Sequence, residues 1–209
     1  MRVRKLLVGQ ELARLLFDLV NRQLQARAVS VKTATLVGAT VIASASPRDG
    51  EAGWSGHRSR KAVHSYKAHV AADADTGLVE RVDVTPGNVH DGRAGGAVVP
   101  DDPGLVYADS AYRGSTFMAV VAAKGGEPRV VASHHWAREG DAAAKAVVRA
   151  RNGAIHRIRV WIEKIFGTWK RSYGLRRMRW RGLAKAALQV RLTAMAYNLR
   201  RGVSLLQAA

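Results

Sequence analysis

Residues 65–85, SYKAHVAADADTGLVERVDVT, contain the pattern that decides the fold. Two runs of strand-like composition, 65–73 and 78–85, flank a short segment that contains Asp75, Thr76 and Gly77. Alternation of polar and apolar residues is typical of half-buried strands, and Asp with Gly between two such runs favours a tight turn. The segment therefore predicts a β-hairpin.

Segments on both sides of this hairpin predict further strands and helices. Residues 33–43, TATLVGATVIA, are rich in β-branched residues and predict a strand, and the polar residues 46–64 predict a loop. Residues 104–109 and 129–133 predict two later strands. Helical spacing predicts helices at 11–27, 115–124, from 141 onward, 154–170 and 183–199. The order predicts an α/β domain with a mixed sheet flanked by helices.

Composition excludes several classes of protein. The chain has 209 residues, of which 47% are apolar, so it can bury a core. It has no cysteine, which excludes a disulfide scaffold, a thiolate metal site and a cysteine nucleophile. No segment has the length and apolar character of a membrane span. The net charge of +18 and the pI near 11.2 favour a polyanionic partner, with nucleic acid first. An anionic membrane surface is the second kind of partner that the charge would suit, but no membrane partner is expected.

The excess positive charge lies in one part of the chain. Residues 149–201 contain 15 lysines and arginines but a single acid, Glu163. Aromatic residues are interleaved with this charge, and Arg176, Arg177, Arg179 and Arg181 form its densest segment. A solvated helical surface is the simplest explanation for a short charge run. For a run of this length, contact with phosphate groups of nucleic acid is favoured.

The predicted helix 154–170 carries a polar stripe. His156, Arg159, Glu163 and Lys170 project within an arc of about 60° at 100° per residue. One explanation is ordinary pairing of Arg159 with Glu163 one helical turn apart. The other is a metal-binding glutamate flanked by phosphate-binding side chains, and the spacing alone leaves both open.

A second acid, Asp109, ends the predicted strand 104–109. Ligands commonly bind at strand ends of α/β sheets, although an acid at this place also serves as a helix cap. Together, Asp109 and Glu163 in a basic chain suggest phosphoryl transfer, since Mg²⁺ prefers carboxylate oxygens and substrate phosphate as ligands.

The motifs around these acids resemble one family. The segments that carry the resemblance are TLVGATVIAS (35–44), YKAHVAADADTGLVERVDVTPGNVHD (66–91), VYADSAY (106–112), IHRIRVWIEKIFGTWKR (155–171) and GLRRMRWRGLAKAALQVRLTAMAYNLRR (174–201). They resemble DDE transposases of bacterial insertion sequences, which are mobile elements, and whose fold is RNase H-like. The helical signature of that family is Tyr-x2-Arg-x3-Glu-x6-Lys. Arg159, Glu163 and Lys170 match it, while His156 stands where tyrosine is usual.

The resemblance implies a site, a reaction and partners. Asp109 and Glu163 would be the second and third catalytic acids and would bind Mg²⁺ or Mn²⁺. The reaction would be cleavage of double-stranded DNA at the element end, followed by strand transfer during transposition, a form of DNA recombination. The location would be the bacterial cytoplasm with the nucleoid, and a homo-oligomer or a mixed oligomer with a full-length transposase is expected. The residues expected to contact DNA are His156, Arg159, Lys170, Arg171, Arg176, Arg177, Arg179 and Arg181.

Two departures from the family bear on activity. The position that normally supplies the first acid is Gly38, which has no ligand atoms. Asp49 and Asp73 are the remaining acids that could replace it. The sequence also predicts a shortened helical region at 1–30, followed by the catalytic domain at 31–201 and a tail at 202–209. We therefore expect a transposase domain with impaired catalysis. The alternative is a non-catalytic DNA-binding protein, or an inhibitor derived from a transposase.

Trp54 lies in the predicted loop, among glycines and basic residues that include Arg58, Arg60 and Lys61. Such a loop either contacts DNA or is merely solvated, and the sequence does not separate the two readings.

Overall fold

The computed structural model describes residues 2–9, 12–27, 32–57, 60–132 and 141–208. Its helices are α1 (Arg2–Gly9), α2 (Leu12–Arg27), α3 (Asp91–Ala94), α4 (Ser115–Ala123), α5 (Ala142–Ser172) and α6 (Leu183–Ala208). Its strands are β1 (Ala34–Ala43), β2 (Gly53–His57), β3 (Arg60–Asp73), β4 (Val79–Pro86), β5 (Leu105–Ala108) and β6 (Glu127–Val130). Short 3-10 turns cover Gly95–Val98 and Ser110–Tyr112. Among the residues described, no helix has the length and apolar character that crossing a membrane requires.

The strands form one mixed sheet in the order β2-β3-β1-β5-β6. Strand β4 also pairs with β3, along the part of β3 that follows its pairing with β2. Strand β3 is antiparallel to β1, β2 and β4, whereas β5 is parallel to both β1 and β6. This mixed sheet flanked by helices confirms the predicted α/β class and is consistent with an RNase H-like fold.

The predicted hairpin forms because its turn satisfies its own backbone. The Asp73 carboxylate accepts hydrogen bonds from the backbone amides of Asp75 and Thr76. Gly77 follows with φ of +71°, a conformation that glycine adopts without steric cost. Strands β3 and β4 then pair in antiparallel register, as the sequence predicts.

Alternating side chains of the sheet build two hydrophobic layers. On one face, Leu36 and Ile42 pack with Ile162 and Trp169 of helix α5. On the other face, Val37 and other apolar residues pack with Phe117 of helix α4. This alternation is the period of two that a strand imposes. The face covered by α5 is called the α5 face below.

Some predicted bounds were wrong. The predicted loop 46–64 contains strand β2 and the start of β3, because pairing with β3 makes a strand of GWSGH (53–57) despite its weak β-propensity. The two helices expected from 141 onward and at 154–170 form the single 31-residue helix α5. Helix α6 continues to Ala208, nine residues beyond its predicted end.

Helix α2 is attached to the domain by buried hydrogen bonds. The Asn21 amide donates to the carbonyl oxygens of Val79 and Glu80, and its own oxygen accepts from Asn198 of helix α6. The division of the chain at residue 30 stays a prediction.

Candidate functional site

Asp109 follows directly after strand β5, where the chain leaves the sheet. One of its oxygens, Oδ1, accepts a hydrogen bond of 2.8 Å from the backbone amide of Ala111 and caps the turn Ser110–Tyr112. The other oxygen, Oδ2, faces helix α5. The capping role considered from the sequence therefore exists, and it leaves half of the carboxylate available for other contacts.

Packing of helix α5 determines where Glu163 lies. Ile155, Ile162, Ile165 and Trp169 are buried against the sheet and fix the rotation of the helix about its axis. Glu163 follows Ile162 and lies at the rim of this contact, with a side chain that is 65% exposed. The apolar stripe predicted from the sequence thus orients the polar stripe beside it.

Arg159 connects the two acids. Its Nη2 atom lies 3.7 Å from Asp109 Oδ2 and 3.6 Å from Glu163 Oε1. Both contacts are ion pairs and not hydrogen bonds, because these distances exceed the length of a hydrogen bond. Since both carboxylates approach the same nitrogen, the sum of these two distances is an upper limit on their separation. The structure therefore brings Asp109 and Glu163 together beside one cation.

The interior side of this site contains polar atoms without a partner. The Arg159 side chain is only 9% exposed, and its Nε atom has no hydrogen-bond partner among the described residues. The same holds for the buried hydroxyl of Tyr112. Burial raises the pKa of the Tyr112 hydroxyl, and the charges of Asp91 and Asp109 raise it further. Sequence reasoning missed Tyr112, whose position in VYADSAY gives no sign of this burial.

Gly38 stands beside Asp109 in the sheet. The parallel register pairs Leu36 with Tyr107, so its continuation places Gly38 level with Asp109 on the neighbouring strand. A β-carbon on Gly38 would lie 3.2 Å from Ile162 Cδ1 and 3.3 Å from Phe166 Cε2. A side chain at this position would therefore point to the α5 face, next to Asp109 and below the helix that carries Glu163.

Neither Asp49 nor Asp73 takes the place of an acid at position 38. The Asp49 carboxylate is buried and accepts hydrogen bonds from the hydroxyls of Ser44 and Tyr66 and from the Gly182 amide. Asp73 holds the turn of the β3–β4 hairpin. Both acids have structural partners away from Arg159, so the two alternatives considered from the sequence fail.

The donor set does not fit a two-metal centre. Such a centre needs several carboxylate oxygens around two cations. Within the described ranges, no group of three or more His, Asp or Glu side chains converges in an arrangement that could hold a metal ion. Asp109 and Glu163 also already share the guanidinium of Arg159. This pair offers donors for at most part of the expected coordination.

A basic cavity lies further along helix α5. Lys170, Arg171 and Arg176 line it together with Val41 and Gly167, and its volume is about 360 Å³. Burial lowers the pKa of the Lys170 ammonium, and the charge of Arg176 lowers it further against the opposing effect of Glu163. Three of the residues expected to contact DNA are therefore neighbours in space.

The remaining basic residues divide between exposed and buried positions. The segment after α5 pairs with the end of β1, since Ala43 exchanges backbone hydrogen bonds with Arg176 and Met178. His156, Arg177, Arg179 and Arg181 are exposed. Arg159 differs from all of them, because it is buried between carboxylates. Sequence reasoning grouped Arg159 with the surface cations and had no signal for its burial.

A family model described as "Transposase DDE domain" matches residues 30–199. No solved structure matches the chain.

Proposed function

Because this chain belongs to the family of transposase DDE domains, we propose that it binds double-stranded DNA but is impaired in metal-dependent strand cleavage and strand transfer. One observation carries the proposal: the position level with Asp109 is Gly38, and the two remaining acids share the guanidinium of Arg159. DNA binding follows from the family and from the charge of the chain. The impairment is specific to this sequence.

The ligands available to a cation determine the expected impairment. In this family's chemistry, a bound Mg²⁺ or Mn²⁺ would supply activation of the attacking hydroxyl and stabilisation of the leaving oxygen. Asp109 and Glu163 would supply oxygen donors for the cation, and Gly38 supplies none. Each tenfold decrease in rate corresponds to about 1.4 kcal/mol of transition-state stabilisation. Loss of one ligand at a centre of this kind is therefore expected to slow strand cleavage by several powers of ten.

The cavity lined by Lys170, Arg171 and Arg176 supports DNA binding. These side chains lie on the same helix as Glu163 or directly after it, so a DNA backbone bound there would pass close to the carboxylates. Neutralisation of phosphates by lysine and arginine releases condensed counterions and makes binding strongly dependent on salt. Arg177, Arg179 and Arg181 continue the cationic surface beyond the cavity.

Binding and cleavage should be measured separately. We expect the protein to bind a 30-base-pair duplex with an affinity that falls steeply between about 50 and 200 mM salt. We expect no nicking of supercoiled plasmid with Mg²⁺ or Mn²⁺ above the level of Glu163→Gln, which serves as the inactive control. Nicking by the wild type at rates typical of intact transposases would refute the impairment. A logarithmic salt slope near zero would refute phosphate contact.

A further inference from the structure

The β2–β3 hairpin presents an exposed tryptophan. Trp54 lies on β2, the outermost strand at this side of the sheet, and is 62% exposed. Its ring centroid lies 5.2 Å from that of His64 on strand β3, and the two planes are tilted by 49°. Lys61 on the same hairpin is exposed, while Arg58 lies outside the described residues. The Trp54 side chain is therefore accessible to a ligand.

Trp54 lies on the α5 face of the sheet. The register pairs Gly38 with Val70 and Ile42 with Tyr66, so even-numbered residues of β3 share the face of Gly38. His64 continues this alternation, and Trp54 is its direct partner across β2 and β3. The exposed ring and the carboxylate site therefore lie on the same side of the sheet.

Ser44 connects the hairpin to the basic segment. Its backbone amide donates a hydrogen bond of 2.9 Å to the His64 carbonyl oxygen. Its carbonyl oxygen accepts a hydrogen bond of 3.1 Å from Arg177 Nε. The hairpin that bears Trp54 therefore lies next to Arg177, an exposed member of the cationic surface that begins at Lys170.

We propose that Trp54 stacks on an unpaired base of DNA bound along this cationic surface. The proposal rests on the DNA binding proposed above and adds a contact with a base to contacts with phosphates. An aromatic ring offers a stacking platform to any base, and a chain of net charge +18 attracts the strand that presents it. Arg177, whose Nε donates to the Ser44 carbonyl beside the hairpin, is an exposed cation that can hold the backbone next to the ring.

The sheet geometry sets the distance between the two contacts. Trp54 is level with Ser44, six residues beyond Gly38 along β1, and three strand spacings separate β2 from β5, which Asp109 follows. With the usual rise and strand spacing, this corresponds to about 25 Å. The same length covers about seven base pairs of duplex DNA. The stacked base is therefore expected about seven base pairs from the phosphate nearest to the carboxylates.

The test compares two duplexes of 30 base pairs that differ in one unpaired 2-aminopurine. We expect the wild type to bind the bulged duplex about 5- to 150-fold more tightly than the fully paired one, which is the range of a single base–aromatic stack. Binding should also quench the 2-aminopurine fluorescence. Trp54→Ala should lose the preference and the quenching while its affinity for the paired duplex changes little, and Trp54→Phe should keep most of both.

Trp161→Ala is the matched control. Trp161 is also a half-exposed tryptophan beside cations, with Lys164 Nζ at 4.3 Å from its ring, but it lies on helix α5. We expect this variant to keep the preference for the bulge. An unchanged preference in Trp54→Ala overturns the inference and leaves DNA binding standing. Absence of binding to both duplexes overturns the proposed function together with the inference.

The absence of cysteine in the chain allows a second measurement. A cysteine introduced as Glu163→Cys can carry an iron chelate that cleaves nearby DNA. Cleavage of the bulged duplex should centre about seven base pairs from the bulge. Cleavage centred on the bulge itself would contradict the assigned position of the ring.

Discussion

Gly38→Asp tests whether a carboxylate at position 38 would complete a cation site with Asp109 and Glu163. The new carboxylate would stand next to Asp109 on the neighbouring strand, below Glu163. Two like charges about 5 Å apart repel by about 3 kcal/mol at an effective dielectric constant of 20. Arg159 offsets part of this repulsion. Contacts of 3.2 and 3.3 Å with Ile162 and Phe166 add packing strain. In the presence of EDTA, we therefore expect the variant to be less stable than the wild type.

Addition of Mn²⁺ should reverse this loss only in the aspartate variant. A cation at 100 times its dissociation constant stabilises the folded state by about 2.7 kcal/mol. For a chain of 150–250 residues this corresponds to an increase in Tm of about 5–11 °C. In the wild type, with two acids already paired to Arg159, we expect a shift below about 2 °C on the same scale.

Differential scanning calorimetry with a Mn²⁺ titration measures both effects. Gly38→Asn is the matched control, because asparagine has the shape of aspartate without its charge. Strain should lower the Tm of both variants, but only Gly38→Asp should respond to Mn²⁺. A folded Gly38→Asp protein with no Mn²⁺-dependent shift would refute the assignment of position 38, as would a wild type that responds equally.

Three further predictions concern charged side chains. Arg159→Met removes the cation between Asp109 and Glu163. Since both acids are partly exposed, we expect a loss of about 1 kcal/mol in the free energy of unfolding. The Mn²⁺-dependent increase in Tm should be larger than in the wild type, and an equal response would contradict the bridging role of Arg159. The double variant Arg171→Ala and Arg176→Ala should reduce the slope of log affinity against log salt by about two, and an unchanged slope in a binding titration would exclude both from phosphate contact. Burial opposes ionisation of Asp49, but its hydrogen bonds from Tyr66, Ser44 and the Gly182 amide lower its pKa overall. The stabilising effect of the ionised Asp49 carboxylate is therefore fully present above the unfolded pKa near 4. It is lost as pH falls through the lower folded value. The difference in Tm between wild type and Asp49→Asn should shrink below about pH 4, and a difference independent of pH would contradict this reasoning.

The sequence predicted those parts of the fold that local patterns encode. The β3–β4 hairpin followed from alternation and from Asp75 and Gly77 in its turn. Helix α5 followed from an apolar stripe whose members Ile155, Ile162 and Ile165 are all buried. Strand β2 did not follow, because Gly53 and Gly56 carry no strand signal and the strand forms through its pairing with β3.

The sequence predicted that Asp109, Arg159 and Glu163 belong to one site, but it predicted neither their contacts nor the buried Tyr112 beside them. Helical periodicity placed Arg159, Glu163 and Lys170 on one side of α5, as the structure has them. It did not show that Arg159 is buried between two acids while Lys170 lines an open cavity, since that depends on how far the helix lies from β5. For Trp54, the sequence did not separate contact with DNA from mere solvation, because the surroundings of an exposed side chain depend on the whole fold.

The close approach of Ile162 and Phe166 to Gly38 has an evolutionary consequence. Any side chain gained at position 38 must displace two large residues of helix α5 by a few tenths of an ångström. The fitness effect of a change in the strand therefore depends on which residues the helix carries at that moment. A smaller residue at position 162 would make room for an acid at position 38. A larger residue there would make any substitution of Gly38 more costly. Gain of an acid at position 38 is thus an epistatic change that involves two elements of the fold.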